Sequence, residues 1–490
     1  MNLVERIDRW GYDTPNQIAH TSSEQTLTYA ELTRRSNALA ASLSKQLPND
    51  QSPVAIQGHK EPEMLIAFLG AVKSGHPYIP LDSSLPSQRV KTILETAKAS
   101  ILITPDKAKE LVNQSKDDSS NNFQIHHPAL EDAWYIIFTS GSTGEPKGVV
   151  ITCGCLESFI NWILSEHHFA EGKETFLNQA PFSFDLSVMD LYSSLVTGGT
   201  LFSLTKDTIT EPKKLFQVLD HSDISVWVST PSFAQFCLTE PTFKAGMLPQ
   251  VNKFWFCGET LAPEVAGSLL TRFPNAEVWN TYGPTETTVA TTSIRIDQDV
   301  IKQYSPLPVG RPKPDSEIHV FDNGVEAKAG ERGEIVIAGP NVSAGYIHRP
   351  DLTERAFYQL NNMRAYRTGD LGHYQDGYLF FDGRIDFQIK LHGYRIEIGD
   401  IENNLHALPN VRDAVVLPVM KNNKADHLAA FVILKEPMNK SDFEIMRTLK
   451  RELNGRLPDY MIPRKFIFLE QFPMTNNGKA DRRKLSEGLK

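Results

Sequence analysis

The sequence predicts an α/β protein with a large N-terminal part and a small, separate C-terminal α+β domain. Three observations predict it. Helix-like and strand-like stretches alternate near the start, later apolar runs each lead into a Gly, Pro or polar cluster, and the charge balance changes sign near Asp386.

The N-terminal alternation reads as a helix from Tyr29 to Lys45, a strand at Val54 to Gln57 and a helix from Glu61 to Ser74, the signature of a three-layer arrangement. Asp117 to Asn122 is polar and turn-rich and reads as an exposed loop with no chemistry of its own. The runs Val226 to Val228, Phe254 to Phe256 and Glu277 to Trp279 read as strands that deliver their loops to one sheet edge, where ligands of α/β proteins usually bind. Residues 387–490 hold 18 Lys and Arg against 13 Asp and Glu, a net of +5, so the remainder carries −14 of the overall −9. With a new strand and helix pattern from Gln388, this divides the chain into 1–385 and 386–490.

Composition excludes several classes of function. A formal charge of −9 argues against nucleic-acid binding, which draws its affinity from clustered Lys and Arg. Met1 to Asp13 is broken by Glu5, Arg6, Asp8 and Arg9, so it lacks a signal peptide's apolar stretch, and no later segment approaches the roughly 20 apolar residues of a membrane span. A cytoplasmic protein without membrane insertion is the expectation. Cys153, Cys155, Cys237 and Cys257 are too few for a disulfide framework and have no zinc-ligand spacing, so reduced, buried thiols are expected.

The strongest local signal is Thr139, Ser140, Gly141, Ser142, Thr143, Gly144, Glu145, Pro146, Lys147 and Gly148, entered from the apolar run Trp134 to Phe138. Hydroxyls and glycine amides this dense can wrap a polyphosphate. It is not a Walker loop, because Lys147 precedes Gly148 rather than Ser or Thr and the exit, Val149 to Ile151, reads as strand. A second cluster runs Asn280, Thr281, Tyr282, Gly283, Pro284, Thr285, Glu286. Tyr282 offers a flat face for a base, Thr285 a hydroxyl for phosphate and Glu286 a hard carboxylate for Mg²⁺; taken alone, the stretch is equally a Gly-Pro turn. Tyr366 to Asp370 and Phe381, Asp382, Gly383, Arg384, Ile385, Asp386 carry carboxylates and arginines suited to ribose hydroxyls and phosphate. Thr475 to Lys479 is a polar turn whose lysine would ordinarily be solvated surface.

In this order, and over nearly the whole chain, these stretches resemble the adenylate-forming superfamily of acyl-CoA synthetases, luciferase-like enzymes and peptide-synthetase adenylation domains. Gly333 to Gly339, Gly345-Tyr346 and Gly393 to Glu397 extend the likeness. Leu177 to Met189, Val228 to Phe233, Phe256 to Glu259 and Pro458 to Phe466 are similar to the ligases that load D-alanine onto a D-alanyl carrier protein for lipoteichoic acid D-alanylation.

The resemblance implies an αβαβα-type N-terminal core with a small β-barrel-like part, ATP and Mg²⁺ as cofactors, and an acidic carrier protein with a phosphopantetheine arm as partner. It implies ATP contacts from Thr139 to Gly144, Lys147, Asn280 to Thr285, Asp370, and Phe381 to Arg384, with Glu286 on the metal. It further implies that Asp185 pairs with the substrate ammonium, that Val289, Cys257 and Gly258 line a short side-chain pocket, that Lys479 bridges substrate carboxylate and ATP, and that Asp386 is a hinge. Asn476-Asn477, where relatives often have a single Asn before a different residue, is a small departure that leaves Gly478-Lys479 intact.

Physical chemistry leaves alternatives open at this stage. Asp185 equally suits the N-cap of a helix starting near Ser187, and a small pocket separates glycine, alanine and serine only modestly. An adenylation enzyme for another small amino acid, a short-chain acyl-CoA synthetase and a non-catalytic nucleotide-binding protein stand beside the D-alanine reading.

Overall fold

In a computed structural model, the described residues are 1–490 except 23, 24, 49, 115–122, 141–144, 387, 392, 422, 423, 437–440, 475–479 and 490. The loop expected at Asp117 to Asn122 therefore lies outside the described residues. The chain forms two compact units: one comprises Met1–Ser83, Ala97–Ile137 and Gly148–Ile385, the other Ser84–Thr96, Phe138–Lys147 and Asp386–Lys490. The second unit thus includes two segments from well before Asp386.

The first unit is built on three sheets. The largest is nine-stranded; from Glu277–Tyr282 its strands run side by side through Lys253–Phe256, Val226–Ser229, Thr175–Asn178 and Thr200–Ser203 to Ile18–Thr21. These contacts are parallel, and the apolar strands are buried on both faces, as in Val226–Ser229. A six-stranded sheet includes Ile101–Ile103, Val54–Gly58, Tyr78–Asp82 and Ala133–Thr139. A third, antiparallel sheet is made of Val325–Glu326, Glu317–Asp322, Gly333–Ala338, Met363–Gln375 and Phe357–Leu360, with Tyr378–Arg384 paired to Met363–Gln375. It corresponds to the small β part expected from the resemblance.

Local sequence explains where the helices begin. Asn2 with Glu5 and Thr28 with Glu31 form capping boxes at the first two helices, Leu3–Asp13 and Tyr29–Gln46. Proline opens the helix Pro62–Lys73, where its missing N–H costs nothing. That helix is buried along its whole length, and its single ammonium, on Lys73, donates to Asp8 (2.6 Å), Ser36 (2.8 Å) and Asn37 (2.8 Å). All three ammonium protons are satisfied, so a charge is tolerated inside.

The helix Leu186–Thr197 ties two sheets into one core. It packs on Thr175–Asn178 and Thr200–Ser203 of the large sheet, while the Tyr192 hydroxyl meets Tyr78 (2.8 Å) and Trp134 (2.6 Å) of the second. Ser187 to Thr197 are all buried, the polar Ser187, Asp190, Ser193 and Ser194 included, and this packing fixes the position of Asp185 at the N-terminal end.

In the second unit, the hairpin Gln388–Leu391 and Tyr394–Glu397 precedes the helix Ile398–His406. Val411–Lys421, Lys424–Leu434 and Lys465–Phe468 form a three-stranded sheet, and Asp442–Asn454 and Arg482–Glu487 are further helices. Its core draws Ile396, Ile401, Val416, Val432 and Leu449 from successive elements.

Candidate active site

Asp185 occupies the N-cap position of Leu186–Thr197 but makes no side-chain cap hydrogen bond. Its carboxylate instead accepts from the Tyr135 hydroxyl (Oδ1, 3.2 Å) and from the Val289 amide (Oδ2, 2.9 Å). Burial raises its pKa to about 7; hydrogen bonds from Val289, Tyr135 and Thr285 oppose the rise, and the nearby negative charge of Glu286 adds to it. A carboxylate so placed, desolvated and already oriented by two donors, is equipped to receive a cation.

Val289 comes to it through an unusual turn. The 3₁₀ segment Thr285–Thr287 ends at Thr288 with φ +57°, and Val289 follows with φ +65°. Two successive β-branched residues in the left-handed region cost on the order of 1–3 kcal/mol each, so the surroundings must impose the shape. Gly283 helps close the turn, since an added Cβ there would lie 2.6 Å from the Ala290 Cα, and Thr291 N–H donates to the Tyr282 carbonyl (2.8 Å). The Val289 carbonyl accepts from the Cys257 thiol at 3.5 Å, so Cys257 and Asp185 hold opposite sides of Val289. Gly258, beside Cys257, has φ +90°.

Glu286, in the same turn, is fully buried and accepts from the Tyr346 hydroxyl (2.8 Å). Among the described residues there is no group of three or more His, Cys, Asp and Glu able to hold a metal. A hard carboxylate is of the kind that suits Mg²⁺, which in nucleotide sites keeps most of its ligands from phosphate and water.

A third cluster centres on Asp370. Tyr282 donates its hydroxyl to Asp370 Oδ2 (2.6 Å), Arg384 pairs with Oδ1, and the Tyr282 and Phe381 rings lie 6.1 Å apart. Burial first, then the Asp370 charge, raises the Tyr282 pKa well above its ordinary value, so the phenol stays a donor. Asp382 turns to His373 (2.7 Å), and the side chains of Asn280 and Thr281 are committed to the carbonyls of Pro308 and Phe256, both at 2.8 Å. Both residues lie in the strand Glu277–Tyr282, so these side-chain donors are spent inside the protein rather than on a ligand.

The remaining candidates lie in the second unit or outside the description. Thr139 Oγ1 is buried without a hydrogen-bond partner among the described residues. Ser140 donates to the Arg395 carbonyl and accepts from the Glu397 amide, each at 3.0 Å. Lys147 opens the strand Lys147–Thr152, and Asp386 is exposed and accepts from Gln388 N–H (3.1 Å). Gly141, Ser142, Thr143, Gly144 and Lys479 lie outside the described residues.

All four cysteines are free and buried, as expected. Burial raises the Cys153 thiol to about 12, which leaves no thiolate for nucleophilic chemistry. Sequence reasoning gave no role to Tyr135 or to Tyr346, which contact Asp185 and Glu286. Tyr346 lies in the quoted Gly-Tyr pair, whereas Tyr135 is hidden in an apolar run that reads only as strand.

Comparison with known proteins fits this architecture. Residues 7–347 match the model of the AMP-binding enzyme family, and residues 400–479 match that of the AMP-binding enzyme C-terminal domain. The chain is 48% identical over 500 residues to the D-alanine--D-alanyl carrier protein ligase of Bacillus anthracis (strain CDC 684 / NRRL 3495), covering 99% of each chain. It is 48% identical over 501 residues to the enzyme of that name from Bacillus thuringiensis (strain Al Hakam), again covering 99% of each. Among solved structures, o-succinylbenzoate CoA synthetase from Bacillus subtilis superposes with a TM-score of 0.85 at 21% identity, over 99% of this chain and 98% of that one. A Vibrio cholerae adenylation domain in complex with glycyl-adenosine-5'-phosphate gives 0.84 at 22% identity, over 99% and 97%. These two likenesses bear on fold alone. No helix of the described residues is long and apolar enough to cross a membrane. The chain belongs to the AMP-binding enzyme family and is an adenylate-forming ligase.

Proposed function

We propose that this ligase activates D-alanine with ATP and Mg²⁺ to D-alanyl-AMP, releasing pyrophosphate, and then transfers the D-alanyl group to the phosphopantetheine thiol of an acidic D-alanyl carrier protein, in the cytoplasm, for lipoteichoic acid D-alanylation. The name shared by full-length relatives at 48% identity supports the substrate and the carrier. The observation that carries the amino-acid reading is Asp185: a desolvated carboxylate at a helix N-terminus that leaves the helix uncapped and points its oxygens at Tyr135 and Val289. An α-ammonium completes its pairing, and a des-amino acid leaves it uncompensated.

A carboxylate attacking the α-phosphorus brings two anions together, so the barrier is largely electrostatic. In this reading Lys479 bridges the substrate carboxylate and the α-phosphate, and Glu286 would hold a Mg²⁺ ion, which would supply charge neutralisation of the phosphates. Asp370, oriented by Tyr282 and Arg384, receives the ribose hydroxyls, while Thr139, Ser140 and the following loop take the phosphates. Val289, Cys257 and Gly258 bound the methyl pocket. The attacking carboxylate is already ionised, so the step needs no general base. Transfer requires Lys479 to withdraw; in this reading the domain 386–490 turns about Asp386, and the net +5 charge of residues 387–490 suits an acidic carrier.

Pyrophosphate exchange with D-alanine, L-alanine, glycine, acetate and propionate tests the reading. D-Alanine is expected to lead, and Asp185→Asn to remove most of the preference for amino acids over their des-amino analogues. Faster exchange with acetate or propionate than with any amino acid would sink it.

A further inference from the structure

The Val289 amide reaches Asp185 only because Thr288 and Val289 hold a conformation that β-branched residues avoid. Something outside the turn must enforce it. Several contacts that do so come from a distant segment, the loop after the strand Gly333–Ala338.

Asn341 in that loop is fully buried. Its Nδ2 donates to the Thr287 carbonyl (2.8 Å) and to Thr291 Oγ1 (2.9 Å), and its Oδ1 accepts from Ser316 (2.7 Å). Its own carbonyl accepts from Thr288 Oγ1 (2.8 Å), and two residues later Ser343 N–H donates to the Glu286 carbonyl (2.9 Å). The loop thus grips residues 286, 287, 288 and 291, on both sides of Val289. Both amide protons and the amide oxygen of Asn341 are engaged, so the side chain cannot swing without leaving buried groups unsatisfied.

We propose that Asn341 is a positioning residue for amino-acid recognition: it holds the Thr288–Val289 kink so that the Val289 N–H stays aimed at Asp185. Without this grip the kink relaxes toward negative φ, the Val289 peptide turns away and the carboxylate loses its orientation. Asn341 touches neither Asp185 nor Val289 through its side-chain bonds, so its effect passes through the turn. The inference rests on the ammonium role of Asp185 given above.

Asn341→Leu roughly keeps the shape and removes the three side-chain hydrogen bonds, leaving the two made by the loop backbone. In pyrophosphate exchange by the full chain, KM for D-alanine is expected to rise roughly tenfold or more, while KM for ATP stays within about twofold, a split that general loosening of the fold would not give. In an Asp185→Asn background the same substitution is expected to add little, because both act on one interaction. Unchanged KM for D-alanine, parallel loss in both substrates, or full additivity with Asp185→Asn would each overturn the inference. If Asn341→Leu fails to fold, Ser316→Ala and Thr291→Val, which each remove one partner of the Asn341 amide, must show the same split in smaller measure; no split in either overturns it. An Asp185→Asn without effect would instead sink the ammonium reading itself, whereas an Asp185→Asn that impairs D-alanine use, beside an Asn341→Leu without effect, sinks only the role of Asn341.

Discussion

At the scale of single residues, the proposed role of Asp185 makes amino-acid binding a proton-linked event. Burial raises its pKa to about 7, so in the ligand-free enzyme it is largely protonated below that pH, and only the ionised form pairs with an ammonium. The sign follows directly: KM for D-alanine is expected to fall by roughly tenfold per unit as pH rises toward 7 and to level off above it. In Asp185→Asn the dependence should flatten, and exchange kinetics between about pH 5.5 and 8.5 decide it; the same slope in both proteins would remove Asp185 from the recognition step. Calorimetry in buffers of different ionisation enthalpy gives a second measure, since binding D-alanine near pH 6 should release a proton. Asp185 could be singled out because it stands in a stretch, Leu177 to Met189, that carries the family resemblance. Tyr135 could not: one tyrosine in an apolar strand carries no mark of the carboxylate it will meet 50 residues on.

Secondary-structure elements were legible where periodicity and caps agree, as at Tyr29–Gln46 with its Thr28 and Glu31 box. What could not be read was how they pack polar groups inside. Lys60 donates to Asn178 Oδ1 and to the Ala180 carbonyl, and lies over the Phe182 ring, in the segment leading to Asp185. Asn178 in turn donates to Asp190 (2.6 Å) and accepts from Ser203 (2.8 Å). Burial lowers the Lys60 pKa and raises that of Asp190, each opposed by the other's charge. Removing one partner leaves the other buried and uncompensated, so Lys60→Met or Asp190→Leu alone should cost about 3–5 kcal/mol. The double replacement should cost less than the sum of the two, as measured by chemical denaturation. Additive losses would mean that the two groups are not coupled. The Thr288–Val289 kink was equally hidden, because local preference argues against positive φ at β-branched residues and the contacts around it, those of Asn341 among them, come from distant segments.

Over the whole molecule, the order of motifs identified the superfamily, and the two matched families together span residues 7–347 and 400–479. The observed units depart from a simple cut in the chain, since Ser84–Thr96 and Phe138–Lys147 group with Asp386–Lys490. Charge counting cannot foresee this, because it follows tertiary contacts rather than composition. The proposed division of labour predicts that Lys479→Ala lowers adenylate formation by about 10²–10³-fold, the scale of one lost electrostatic stabiliser. ATP binding and transfer from preformed D-alanyl-AMP to the carrier should persist. Asp386→Pro, which stiffens the backbone at the hinge, should slow transfer more than adenylation in single-turnover experiments. Equal loss in both half-reactions would argue against a hinge there. Ser140 adds a constraint at this same scale. Its hydroxyl has one hydrogen to give, and the Arg395 carbonyl receives it. In the proposed reading a triphosphate oxygen, which can only accept, must outbid that carbonyl, so nucleotide capture by this serine and its grip on the 394–397 strand become rival uses of a single proton.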